Sequence, residues 1–446
     1  MGSTFEMTRR AALWGVTAAA AGALLWPYTP KGRRNVPRGR VELSYWEKWP
    51  GIEGLALKKI VDRFNAGQDK IWVHLVAVGD IAAKAMVAIG GGDPPDLVGL
   101  YSYNIPGYAE AKAAMAMDEF ASLGAIDPGR YAPGIRNLLW YEGRQWAGVN
   151  TCYTLGLYYN RAMFREAGVE RQPRTVDELD EIGQRLTKKD AQGRITRAGF
   201  LQNVPGWWPY SWPVYFGGKL YDDLARRATC GEPACVASYE WCGATAARLG
   251  VAATRSFAAG FGRSIHSAQD PFISGRMAMI VQGPWLANFI RSLRPELDYL
   301  CAPVPVAKNV FDREHPRGMI EADVLIIPRG CRHPEEAYRF FQFMQTQEVQ
   351  EELATEHCKP SPFVTMSPGF LEHHPHRSIA VFDAVAKSPH VEVLPRTRAW
   401  KQYSDLITSA FDSVWGGADA KAEMTDVQTR AQGLIDAAAE MRRERA

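Results

Sequence analysis

Residues 41–46 (VELSYW) alternate apolar and polar side chains, the period of a strand with one buried face. The period then changes. Leu57, Ile60, Val61 and Phe64 recur at three- and four-residue steps within 55–64, which predicts an amphipathic helix. Residues 71–78 (IWVHLVAV) predict a second strand, 82–89 a helix closed by Gly90-Gly91-Gly92, and 96–100 a third short strand. Strand, helix, strand, helix, strand describes an α/β sheet with helices on both faces.

The middle of the chain repeats the alternation. Residues 155–159 predict a strand and 162–167 a helix ending at Gly168. Thr175 and Glu178 form a capping box, in which each side chain satisfies a backbone amide of the first turn, and the helix runs to Leu186. Apolar runs at 277–281 and 324–327 predict buried strands. Residues 335–353 predict one amphipathic helix with Ala337, Phe340, Phe341 and Met344 inward, and 400–446 predict helix broken at Gly416-Gly417. The stretch 203–217 fits neither period and is rich in aromatic residues. Two α/β halves, with strand pattern resuming near 299–327, predict lobes built from discontinuous segments, joined by hinge strands with a ligand between them.

The chain has 446 residues, 46% of them hydrophobic and 23% charged. At about 150 residues per domain this predicts two or three domains, each able to bury a core. The formal net charge is +3, with both signs dispersed. A nucleic-acid binder concentrates basic residues in a stripe, so that class is excluded.

Thr8-Arg9-Arg10 precedes an uncharged, Ala-rich run over 11–28. A basic segment before an apolar one is an export signal, and the Arg pair with Leu13 three residues on is similar to the twin-arginine pattern. Residues 1–28 are therefore read as signal or anchor: cleavage within 18–23 and retention in the membrane both fit, since about eighteen apolar residues is marginal for a span. No Cys stands at the end of the run, which argues against a lipoprotein. Residues 29–40 (TPKGRRNVPRGR) read as a linker. These features place the protein outside the cytoplasm, in the periplasm or an equivalent compartment.

Export permits disulfides. Of seven Cys, Cys230 and Cys235 flank a Gly-Glu-Pro-Ala turn and are the candidates for one. No Cys or His pairs stand at zinc-ligand spacing. His373-His374-Pro375-His376 reads as an exposed loop rather than a metal site, and no metal or cofactor is expected.

Fourteen Trp are present, several beside turns rather than at periodic core positions. A sugar ring offers an apolar C–H face that stacks on indole and a rim of hydroxyls that polar side chains hydrogen-bond. Trp46, Trp49, Trp207, Trp208, Trp285 and Trp400 are candidate stacking residues; Glu47, Lys48, Asp80, Asn104, Glu321, Asp323 and Arg398 are candidate rim partners. Any one Trp alone fits a core as well. The run Trp207-Trp208-Pro209-Tyr210-Ser211-Trp212 does not, because successive residues point to opposite sides. The serine-hydrolase, zinc-protease and phosphate-loop motifs are absent. Glu321 and Asp323 share a strand face, and a carboxylate pair for glycoside hydrolysis is a lesser reading.

Five stretches in order resemble the family 1 extracellular solute-binding proteins of ABC importers, which include the maltodextrin binders. They are 91–100 (GGDPPDLVGL); 155–161 (LGLYYNR) with Phe164 and Gly168; 272–285 (FISGRMAMIVQGPW); 324–328 with 334–337; and 394–400. The resemblance covers about 41–438. It implies a two-lobed periplasmic-binding-protein fold of type II, with lobe 1 from 41–153 plus 302–340 and lobe 2 from 154–301 plus 341–446. It implies capture of a sugar or oligosaccharide without catalysis, and delivery by a monomer to the permease subunits of an ABC transporter. By position it implies cleft roles for the 46–49 segment, Tyr103, Asn104, Tyr153, Trp207, Trp208, Trp285 and Trp400. Leu100 stands where maltodextrin binders carry Trp, and Tyr103-Asn104 replace a charged pair, so maltodextrin itself is disfavoured. A polyol, glycerol phosphate or cationic ligand is the alternative, and convergent Arg for a phosphate is not evident.

Overall fold

The computed structural model describes residues 36–261 and 267–445. The segment read as an export signal, and the expected linker up to residue 35, lie outside these described residues. Among those described, no helix is long and apolar enough to cross a membrane.

Strand β1 (Val41–Glu47) turns Leu43 and Tyr45 into the core, where helix α1 (Gly51–Gly67) covers them with Leu57, Ile60, Val61 and Phe64. Strand β2 (Ile71–Ala77) pairs parallel to β1 along its whole length. Helix α2 (Ile81–Gly90) leads into β3 (Leu97–Tyr101), parallel to β1 on its other side. Strand β4 (Gly148–Thr154) ends one residue before β5 (Gly156–Asn160), and in that single step the chain leaves one sheet for another. β5 is the middle of a three-stranded antiparallel sheet between β6 (Met279–Gln282) and β7 (Tyr299–Ala302). The chain returns through β8 (Gly318–Ile326), which pairs antiparallel with both β3 and β4. β9 (Val391–Val393) extends the first sheet beside residues 318–320.

Each sheet has its own core. The first buries Val98, Leu100, Val149, Val324 and Ile326 on one face and Leu43, Tyr45, Leu97 and Leu325 on the other. The second builds a separate core from residues between Leu155 and Val306, completed by Trp400–Trp415 and Ala420–Arg445 at the C-terminal end. The molecule is thus the two-lobed α/β fold expected. β4, β8 and the 391–394 segment are the connections: Val393 packs on the first lobe's core and Leu394 belongs to the second's.

Three expectations are corrected. The boundary at residue 340/341 falls inside a helix, α3 (Pro334–Met344), and Phe341, Met344, Val349 and Leu353 pack with Leu43 and Tyr45 in the first lobe rather than the second. The helix expected over 335–353 is two, because the backbone turns extended at Thr346 (ψ 151°); the side chain of Gln345, just before it, binds Val149, its Nε2 donating to Val149 O at 2.8 Å and its Oε1 accepting from Val149 N at 2.9 Å. Thr346 then caps α4 (Gln347–Glu356). Cys230 and Cys235 are both free thiols, directed at different carbonyls, those of Met424 and Lys219.

The His tract also departs from expectation. His374 and His376 are buried, not exposed; His376 Nε2 meets the Tyr158 hydroxyl at 2.9 Å. Among the described residues no cluster of His, Cys, Asp and Glu is arranged to hold a metal.

Gln345 also accepts from the Tyr131 hydroxyl, so its amide joins three buried groups. Gln345→Ala should destabilise the protein by about 2 kcal/mol, the cost of buried polar groups left unpaired. Chemical denaturation measures this, and an unchanged midpoint would show that the helix break carries no such load.

Candidate functional site

Side chains of β8 alternate about the sheet. Ile320, Ala322, Val324 and Ile326 enter the first lobe's core, which leaves Glu321 and Asp323 on the opposite face, between the lobes. On β4, Tyr153 stands opposite Glu321 and Thr151 opposite Asp323. Four polar side chains on two hinge strands thereby form one floor.

Asp323 is its centre. Oδ2 accepts from Thr151 Oγ1 at 2.7 Å and from Lys359 Nζ at 3.0 Å, and Lys48 Nζ lies 3.1 Å from Oδ1. All of these groups are almost wholly buried. Burial opposes ionisation of Asp323, but the two ammonium groups outweigh it and hold the carboxyl well below the usual range. Lys48 is raised in turn: Asp323 first and then Glu47 overcome the burial of the amine.

Glu47 sits behind this floor. Its carboxylate accepts from Tyr45 Oη at 2.8 Å, Asn150 Nδ2 at 2.8 Å, Lys48 N at 2.8 Å and Lys48 Nζ at 3.1 Å. Asn150 reaches it because β4 bulges there: Asp323 pairs with Thr151 but Val324 pairs with Val149. Gly99 makes the space, since a Cβ at that position would stand 1.8 Å from Glu47 Oε2.

Aromatic rings close over the floor from both lobes. Lys359 Nζ lies 5.3 Å from the ring of Trp49, 5.8 Å from Tyr153 and 5.6 Å from Trp285. Lys48 Nζ lies 4.8 Å from Trp49 and 4.6 Å from Tyr101. Trp285 meets Tyr153 edge-on at 4.9 Å and Trp208 at 6.1 Å, while Trp207 packs on Trp208 and stays 41% exposed. Tyr101 stacks on Tyr103 at 5.3 Å.

Of the residues singled out in the sequence, Lys48, Trp49, Tyr103, Tyr153, Trp208, Trp285, Glu321 and Asp323 come together here, with Trp207 at the margin. Others do not. Glu47 is turned inward, with its oxygens taken by protein donors. Trp46 is packed against the first lobe's core. Asp80 is exposed ahead of α2, in left-handed backbone. Asn104 Oδ1 accepts from Tyr101 N and so serves its own turn. Arg398, a candidate rim partner, lies instead with its Nε 3.9 Å from Glu110 Oε2. Trp400 is buried in the second lobe against Tyr210 and Tyr403. Sequence reasoning missed Lys359, Tyr101 and Tyr210. Tyr101 and Tyr210 stood beside residues already chosen. Lys359 had no signal, since only the return of the chain after α4 brings it to Asp323.

Two α/β lobes facing each other across hinge strands, with aromatic rings of both lobes over a polar floor, define a two-lobed binding protein. Residues 48–351 match the bacterial extracellular solute-binding protein family, and the chain belongs to it. The maltotriose-binding protein of Pyrococcus abyssi is 22% identical over 318 residues, covering 71% of this chain and 65% of that relative, less than two thirds of its length. Among solved structures, CpMnBP1 with mannobiose bound is 22% identical with a TM-score of 0.77, covering 88% of this chain and 100% of that one. UgpB from Mycobacterium tuberculosis in complex with glycerophosphocholine is 22% identical with a TM-score of 0.71, covering 89% and 99%.

Glu321 differs from Asp323. Burial pushes its carboxyl up to about 7, Asp323 adds to the rise, and the Tyr153 hydroxyl and Lys48 only partly offset it. The folded protein therefore holds a proton that the unfolded chain has released above about 4.5, the ordinary value. Stability from this group is full below about 4.5 and is lost as pH rises through about 7. Glu321→Gln should flatten that decline in thermal denaturation between pH 5 and 8; an equal slope in both proteins would place the titration elsewhere.

Proposed function

We propose that the protein captures a sugar or oligosaccharide between its lobes and hands it to the permease subunits of an ABC transporter, without chemical turnover. One observation carries the reading: rings of Trp49 from the first lobe and Trp285 from the second converge, with Tyr153, on the same ammonium of a buried polar floor. Indole faces with fixed polar groups between them suit a ring that is apolar on its faces and hydroxylated at its rim. Lys359 has one donor beyond those given to Thr151 and Asp323, and Trp208, Trp207 and Tyr103 extend the aromatic wall. Closure follows because a ligand touching both walls is bound more tightly when they approach, and that difference shifts the population. The oligosaccharides named for the P. abyssi relative and for CpMnBP1 support the ligand class.

The hydrolase reading loses support from the floor itself. Asp323 is tied to two lysines, Glu47 is buried behind it and Glu53 lies 3.9 Å from Lys359, so among the described residues no second free carboxylate is placed to act with Glu321 across a substrate. A phosphate-bearing ligand is disfavoured likewise, because both floor lysines already have carboxylate partners within 3.1 Å. Export from the cytoplasm belongs to the same reading and is supported by the family and by the 1–28 sequence.

Intrinsic Trp fluorescence titrated with mono-, di- and oligosaccharides should show a saturable change with one sugar class and no product on prolonged incubation. Trp285→Ala should weaken that binding about tenfold or more, as loss of a central aromatic anchor does. Unchanged affinity in the variant would remove Trp285 from the site.

A further inference from the structure

The floor contains one acid that no ammonium touches. Asp323 has Lys48 and Lys359 within 3.1 Å, Glu47 has Lys48 at 3.1 Å and Glu53 has Lys359 at 3.9 Å, so the two ammonium groups are already shared among three carboxylates. Glu321 is 3% exposed, in the same floor, and stands outside this group. Its Oε2 accepts from the Tyr153 hydroxyl, while its Oε1 is buried and has no hydrogen-bond partner. A buried carboxylate oxygen left open is costly unless a donor arrives.

The surroundings specify the donor. Tyr153 lies on the neighbouring hinge strand. Tyr101 and Tyr103 come from the first lobe and Tyr210 from the second, and all four phenols are held up by burial and by the field of Glu321. The other charged groups acting on Glu321 are Asp323 and Lys48. In this buried setting an ionised carboxylate that no ammonium touches gains more from a cationic donor than from a neutral hydroxyl. Arg398 does not fill the role, being paired with Glu110.

We propose that the saccharide unit seated at the hinge carries a protonated amine, received by Glu321 Oε1 among the tyrosines of both lobes. The inference rests on the carbohydrate reading and narrows it to amino sugars. A neutral sugar leaves Glu321 protonated. An ammonium pairs with its ionised form, so binding near pH 6 expels the proton that burial had kept there.

Isothermal titration calorimetry tests this with glucosamine and its β-1,4-linked dimer and trimer. Each is matched with its N-acetyl form and with the neutral glucose parent, at about pH 6 in buffers of different ionisation enthalpy. The amino forms are expected to bind at least about tenfold more tightly than their neutral partners and to release close to one proton, in line with a carboxyl that ionises on pairing. Glu321→Gln, checked for folding by its melting curve, is expected to abolish both the preference and the proton release. Neutral or acetylated forms binding as tightly as the amines, with no proton released, would overturn the inference and leave the carbohydrate reading standing. Binding of spermidine in place of every saccharide would overturn both readings, as would a panel silent throughout.

Discussion

Asp323 holds two lysines from distant parts of the chain: Lys48 at the end of the first strand and Lys359 after the helix pair that follows the last long strand. Burying one carboxylate and two ammonium groups costs more than any single pair returns, and the arrangement survives because Thr151, Glu47 and the ring faces of Trp49, Tyr101, Tyr153 and Trp285 satisfy what remains. The site depends on this. The lysines fix where the aromatic walls of the two lobes stand, and their carboxylate partners leave Glu321 as the acid that no ammonium touches. Removing either lysine would strand a buried carboxylate, so the floor behaves as a unit.

Electrostatics also separates two carboxylates two residues apart on one strand. Asp323 is held ionised by its cations, while burial drives Glu321 the other way. The strand period puts both on the same face, and their different neighbours give one the part of scaffold and the other an open acceptor. Nothing in the spacing of an acid at i and an acid at i+2 distinguishes the two.

Much of the fold was legible in the sequence because hydrophobic period reports local structure directly. Strands expected at 41–46, 71–78 and 96–100 are found at Val41–Glu47, Ile71–Ala77 and Leu97–Tyr101. The helix over 335–353 was misread because the apolar period runs on through Thr346, where the backbone turns extended and caps the next helix, and the Gln345 contact that anchors this point is visible only once Val149 lies alongside. The site was half legible. Trp49, Trp208 and Trp285 were found through aromatic placement, and Tyr153 through the family resemblance. Trp400 is equally aromatic but packs in a core, and composition does not reveal which way a ring points. Glu47 followed a strand into the cleft loop, yet the bulge at Asn150 and the absence of a side chain at Gly99 draw it inward. Lys359 is a purely tertiary member of the site.

The single residue between β4 and β5 has a mechanical side. Leu155 alone separates a strand of one sheet from a strand of the other, so this joint lies beside Tyr153 and Glu321. Rotation about such a joint displaces groups in proportion to their distance from it. The Tyr153–Glu321 pair, close to the joint, would scarcely shift, while ion pairs that link the lobes elsewhere, such as those of Glu142 with Arg226 and Arg442, would be strained or broken. The short arm suits chemical discrimination, which needs constant geometry, and the long arm suits signalling to another surface, which needs amplitude.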